Sequence, residues 1–479
     1  MNLYKKIPIL FLALYSYTVA FGQEKDSLIF YLEVATKNNP TVLQKYADYE
    51  AALQKVPQVG SLPDPELSAG VFLSPMEQIG GNQLADFRLM QMFPWFGTLK
   101  AAKDEMSLMA KAKYESFRDA KLQVFFEVQQ TWFELYKIQQ AIEISQKNVE
   151  ILNTLERLSL IKFKSAPISG TSASSSAKNV QNNLSQRTSS GSSGMQSMGG
   201  NSANNSSTNN SQSSGSMQSK PMNSSGGSGL IDLYRIQIET SDLENNIALL
   251  NDEKKTVVAR FNNLLNRSAQ ENVKIPDTLI ANTLHLSFLT VADSILAKNP
   301  MLAMLNYEKQ SLDARKEMVT QMGYPMIGLG LNYSLIGKNP MSTSEMNGND
   351  MIMPMVTLTL PIYRKKYKAL KTEVEKLKTA TAQEIQATSN SLKTEYYETV
   401  QNYKDAERKI ALYANQYSLA NQSLRILTKS FSASGTDLTD LLIVQQQTLD
   451  YELKQVQAVA DFNTAIAKLH RLMAYLQIQ

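Results

Sequence analysis

Four methionines, Met195, Met198, Met217 and Met222, carry the most distinctive ligand chemistry in this sequence, and they stand among Ser, Asn, Gly and Gln. Thioether sulfur is a soft donor suited to Cu(I) or Ag(I), and clustered flexible methionines can pass such ions along. The alternative is a solvated loop with incidental methionines, in a chain that has 21 of them. Catalytic chemistry finds little to work with. There is no Cys, so disulfides, thiolate metal sites, thiol nucleophiles and a lipid-bearing N-terminal Cys are all excluded. Only His285 and His470 supply imidazole, far apart in sequence, and there is no P-loop or dinucleotide-binding glycine pattern. Neither a catalytic site nor a cofactor is expected. The charge balance, 48 basic against 44 acidic residues, is too even to suggest nucleic acid.

The elements that must position these residues begin with a leader. Lys5 and Lys6 precede an apolar run from Ile7 to about Phe21, and Ala20-Phe21-Gly22 supplies small residues before Gln23. That order predicts a cleaved secretory signal over 1–22. The run is shorter than the ~20 residues a membrane-spanning helix needs. No other apolar run approaches that length, so a membrane could be crossed only by short strands.

The rest reads as one unit present twice, 23–275 and 276–479. Asn39-Pro40 recurs as Asn299-Pro300, and Pro65 and Pro325 each follow 25 residues later. Asp232, Leu233, Gln237, Thr240, Asp242 and Glu244 recur at a constant offset of 208 as Asp440, Leu441, Gln445, Thr448, Asp450 and Glu452. The earlier offset is 260, so the first copy holds an insertion, placed at about 170–229. Its composition cannot bury enough apolar surface to offset the entropy of ordering, which predicts a flexible loop.

Each copy reads as helix, two strands, long helix, helix. Strands are expected at about 66–74, 85–93, 326–334 and 352–360. The clearest alternation sets Ile327, Leu329, Leu331 and Tyr333 against Gly328, Gly330, Asn332 and Ser334. Heptad stripes such as Tyr403, Ala406, Ile410, Tyr413 and Tyr417 suit coiled-coil packing. A helix from about Lys365 to Phe431 would be ~100 Å long, and the segment 432–436 turns it into a hairpin. Four strands cannot close a barrel, and open edges are not tolerated in lipid. Three copies would supply twelve strands, within the range of outer-membrane barrels, continued by a helical tube. The fold class expected is therefore mainly α with a small antiparallel β portion. Trp95, Phe96, Tyr363 and Tyr367, just past the second strand of each copy, suit an aromatic girdle at the membrane interface or packing where helix meets strand.

The order of elements, the Pro-aromatic strand ends (Phe93-Pro94-Trp95-Phe96-Gly97 and Leu360-Pro361-Ile362-Tyr363) and the segment Gly435-Thr436-Asp437-Leu438-Thr439-Asp440-Leu441-Leu442 resemble the TolC-type outer-membrane efflux proteins, a family that includes heavy-metal exporters. The resemblance covers nearly all of the chain after the leader except the insertion. It implies a homotrimer with its barrel in the outer-membrane lipid and its tube in the periplasm. The tip, at Gly435, Thr436, Asp437, Asp440 and Asp232, would dock a periplasmic adaptor joined to an inner-membrane pump, and its acids would help close the aperture. Where the family often adds an acid one turn on, this chain has Ile443 and Arg235. Asp232 and Asp440 also suit a helix N-terminus, where the dipole favours an acid by ~0.3–1 kcal/mol. The implied function is a passive conduit for metal ions or drugs. A periplasmic coiled-coil adaptor or scaffold is the alternative.

Overall fold

The computed structural model describes residues 28–78, 80–165, 228–281, 288–341, 343, 345–433 and 437–475. The expected leader, Met195, Met198, Met217 and Met222, and the turn residues Gly435 and Thr436 lie outside the described residues. Among the described residues twelve elements follow in chain order. They are α1 (Leu28–Asn38), α2 (Pro40–Gly60), β1 (Glu66–Gln78), β2 (Gly81–Phe93), α3 (Thr98–Ser165), α4 (Ser228–Leu264), α5 (Phe288–Lys298), α6 (Pro300–Gln321), β3 (Met326–Gly337), β4 (Met351–Thr359), α7 (Arg364–Ser432) and α8 (Leu438–Leu472). The chain is mainly helical with one small antiparallel sheet.

Two helices precede each strand pair, where a single one was expected. The break is the Asn-Pro pair. Proline disfavours helical backbone at the residue before it, and both asparagines are extended, with ψ of 124° at Asn39 and 125° at Asn299. Each then caps the next helix. Asn39 Oδ1 accepts from the amides of Thr41 and Val42 at 2.9 and 3.3 Å, and Asn299 Oδ1 accepts from Met301 at 3.0 Å. Both side chains also reach across the fold: Asn39 Nδ2 donates to the Leu264 carbonyl at 2.9 Å, and Asn299 Nδ2 donates to the Leu472 carbonyl at 3.3 Å.

The core follows the same correspondence. Tyr31, Ala35 and Val42 are buried, as are Val291, Ile295 and Leu302 at the 260 offset. Val257, Phe261 and Leu265 are buried, as are Ala465, Leu469 and Met473 at the 208 offset. One cluster joins Tyr31 to Leu135, Ile138 and Phe261, with Tyr31 and Phe261 edge-to-face at 5.1 Å. Another joins Val291 and Ile295 to Leu392, Tyr396 and Leu469.

By contact the chain forms two compact units. One comprises Met1–Glu150 and Asp242–Gln479. The other, Ile151–Ser241, holds the end of α3 and the start of α4, with Leu152, Leu155 and Ile236 fully buried and Gln237 donating to Glu156 at 2.9 Å.

The strands pair in the order β1-β2-β3-β4, all antiparallel. All but β4 run longer than expected. β1 continues past a register shift, so that Met76, Glu77 and Gln78 pair with Gln83, Asn82 and Gly81. The central pairing, β2 with β3, joins the two halves of the chain.

Candidate functional site

The sheet is the first candidate, because β3 exposes its apolar side chains and buries its polar ones. Register places Leu67, Leu89, Leu331 and Pro354 in one cross-strand row. Ala69, Phe87, Tyr333 and Ile352 form the next, with the Phe87 and Tyr333 rings 6.4 Å apart. These rows share one face. The other face carries the rows Ser68–Arg88–Asn332–Met353 and Gly70–Asp86–Ser334–Met351. A one-sided soluble sheet hides its apolar face and wets the polar one. In β3 the opposite holds: Leu329 and Leu331 are 52% and 47% exposed, whereas Asn332 and Ser334 are 8% and 7% exposed. The polar side is knit together, Ser334 Oγ donating to Asp86 at 3.1 Å and accepting from Gln83 Nε2 at 3.3 Å. An exposed apolar area of this kind marks a surface meant for lipid or a partner. β1 and β4 each pair on one side only, leaving two open edges among the described residues.

The junction below the sheet is the second candidate. Trp95 stacks on Tyr324, with centroids 5.2 Å apart and planes at 21°. It meets Phe96 edge-on at 6.0 Å. The turn into α3 needs Gly97, whose φ is 85° and whose missing Cβ would lie 2.7 Å from Gln321 Oε1. Phe96 and Tyr363 are largely exposed, whereas Trp95 and Tyr367 are half-buried. The four aromatics therefore divide: two face outward, and two pack where helix meets strand.

At the start of α8, Asp437 is the cap residue with ψ of 146° and makes no capping hydrogen bond through its side chain. Asp440 lies in the first turn, exposed, where the helix dipole favours it. Asp232 lies near the start of α4, partly exposed.

No protein-family model matches the sequence, and no curated protein matches it. Solved structures do match in fold. The outer membrane protein VceC of Vibrio cholerae superposes with a TM-score of 0.67 at 12% identity, over 94% of this chain and 96% of that one. The open-state MtrE outer membrane channel of Neisseria gonorrhoeae gives 0.66 at 11% identity, over 94% and 89%. The CmeC outer membrane channel of Campylobacter jejuni gives 0.64 at 12%, over 94% and 86%. The chain has the fold of an outer-membrane channel. This is the TolC-type architecture that the sequence resembles, found over nearly its whole length.

Within this channel fold, no helix among the described residues is long and apolar enough to cross a membrane. Where the helices pack, they hold partly buried charge. Asp119 lines a cavity of ≈ 150 Å³ with Glu395 and Arg471. Burial lifts its pKa above the ordinary carboxylate range, Arg471 opposes the rise and Glu395 adds to it. Glu395 pairs with both Arg471 and Lys468, at 3.2 and 3.3 Å. Burial acts on His470 in the opposite direction and lowers its pKa. Among the described residues no group of three His, Cys, Asp or Glu could hold a metal ion. Sequence reading missed one feature. Met90, Met92, Met351, Met353 and Met355 share the polar face of the sheet, Met90 and Met355 flanking Gly330 and Met92 covering Gly328.

Proposed function

We propose that this chain is the outer-membrane channel component of a three-part efflux system, a passive conduit from periplasm to exterior. The inverted sheet carries the proposal: its apolar face suits lipid, and its polar face suits a water-filled lumen. Two open edges cannot stay unpaired in lipid. Three copies joined edge to edge make a twelve-stranded barrel. The chain is two copies of one unit, a reading supported by the paired Asn caps and by the burial they share. Docking of a periplasmic adaptor, which couples the channel to an inner-membrane pump, is assigned to Asp232 in one segment and to Gly435, Thr436, Asp437 and Asp440 in the other. The channel itself performs no catalysis. A free coiled-coil adaptor would have no use for an exposed apolar sheet, which disfavours the scaffold reading.

Metal ions and drugs both remain substrates of this reading. Metal gains one specific observation, the soft methionine sulfurs along the polar face of the sheet, besides Met195, Met198, Met217 and Met222 of the insertion. Mass in detergent and gel migration before and after heating test the channel. A heat-modifiable trimer is expected; a monomer soluble without detergent would sink it. In a deletion strain, restored copper or silver tolerance that falls when Met90, Met92, Met353 and Met355 are changed to Leu identifies metal as the cargo. Restored drug tolerance that is indifferent to those changes identifies drugs.

A further inference from the structure

At the foot of the sheet an open apolar groove of ≈ 430 Å³ is walled by Leu62, Phe93, Pro94, Trp95, Phe96 and Leu329. Phe93 and Leu329 belong to the apolar face, so the groove is continuous with the surface assigned above to lipid. Beside it begins α7 with Arg364-Lys365-Lys366-Tyr367-Lys368-Ala369-Leu370-Lys371, five cations in eight residues and no acid. The link between the two is aromatic. Tyr367 Cγ lies 3.9 Å from where a side chain on Gly323 would start, and the next residue, Tyr324, is the one stacked on Trp95.

The acids that follow the basic run do not neutralise it. Glu373 and Glu375 are engaged by Arg315 and Lys316 of α6. Among the described residues none of the five α7 cations is in an ion pair, and Arg364, Lys365, Lys366 and Lys368 are all exposed. Long cationic side chains can lie along apolar surface and present the charge at a headgroup. A dense basic cluster at a membrane boundary selects anionic lipid.

We propose that the groove and the start of α7 together hold an anionic phospholipid. One acyl chain lies over Trp95, and the headgroup lies in the positive field that Arg364, Lys365, Lys366 and Lys368 set up around the start of α7. The site rests on the reading of the sheet as lipid-facing. It fixes the depth of the barrel at the membrane's inner boundary.

The chain has two tryptophans, and Trp132, the other one, is buried with its indole N–H unpartnered, so Trp132→Phe leaves Trp95 as a single reporter without removing a hydrogen bond. The variant is placed in vesicles containing acyl-brominated phosphatidylglycerol or, in the same proportion, acyl-brominated phosphatidylcholine. Quenching is expected at a lower mole fraction of the phosphatidylglycerol. Neutralising Arg364, Lys365, Lys366 and Lys368 to Gln should erase that preference, at roughly fivefold per lost charge. Equal quenching by both lipids would overturn the site, as would none in protein shown by heat-modifiable migration to be inserted; in either case the channel reading survives. Protein that never inserts would overturn both. Should Trp132→Phe fail to fold, native mass spectrometry of the unsubstituted protein decides the same point: retention of phosphatidylglycerol over phosphatidylcholine supports the site, and equal retention overturns it.

Discussion

Asn266 and Ala474 occupy equivalent positions just past α4 and α8, and both adopt a φ of 55°. Asparagine tolerates that left-handed conformation, whereas alanine is strained in it by ~1–2 kcal/mol. Ala474→Gly should therefore raise the melting temperature in detergent, with a net gain of about 0.5–1 kcal/mol once the glycine's extra chain entropy is counted. An unchanged or lower value would mean that the Ala474 methyl makes contacts worth more than the strain. Asn299 is a second residue with two roles, since its oxygen caps α6 and its nitrogen bonds the Leu472 carbonyl. Asn299→Ala should cost about 1–3 kcal/mol, because a cap and a buried bond are lost together. Asn299→Asp keeps the cap acceptor and loses the donor, so it should fall between. Equal losses for the two variants would assign the whole effect to the cross-fold bond. The Asn-Pro pair was visible in the sequence. Its consequence, a helix end rather than a continuous helix, depends on a partner carbonyl more than 170 residues away.

Among the elements, the helices were the most legible, because heptad stripes over some sixty residues leave little freedom; α7 begins and ends within a residue of its expected bounds. Strand extents were less so. The segment Met351-Ile352-Met353-Pro354-Met355-Val356 is apolar throughout, so period two cannot be read from it. Only pairing with β3 assigns its methionines to the polar face. The basic run that opens α7 is plain in the sequence, but its place beside an apolar groove is not. Partly buried charge between α3, α7 and α8 is a property of packing and cannot be read from sequence. Asp119 has a folded pKa raised above its ordinary value of 3.8. The folded state thus holds its proton more tightly than the unfolded chain, and the stability this supplies is lost as pH rises through the folded pKa. Asp119→Asn should stabilise the protein at pH 7, with the gain fading as pH falls toward 3.8. A variant less stable than the parent at pH 7 would show that attraction to Arg471 outweighs burial.

At the scale of the molecule, the proposed function assigns pairing with further copies and contact with lipid to the sheet, whose described strands leave two open edges, and a place outside the bilayer to the helices. The chain contains no cysteine, so a single thiol reports its own surroundings. Leu89→Cys and Arg88→Cys place that thiol on adjacent exposed residues of β2, on opposite faces of the sheet. The measurement is labelling of each variant, inserted in membranes, by a charged water-soluble maleimide and by a lipid-soluble one. The thiol at 88 should react with the water-soluble reagent and the thiol at 89 only with the lipid-soluble one. The reverse pattern, or equal labelling of both positions from water, would contradict a β-barrel channel in the membrane.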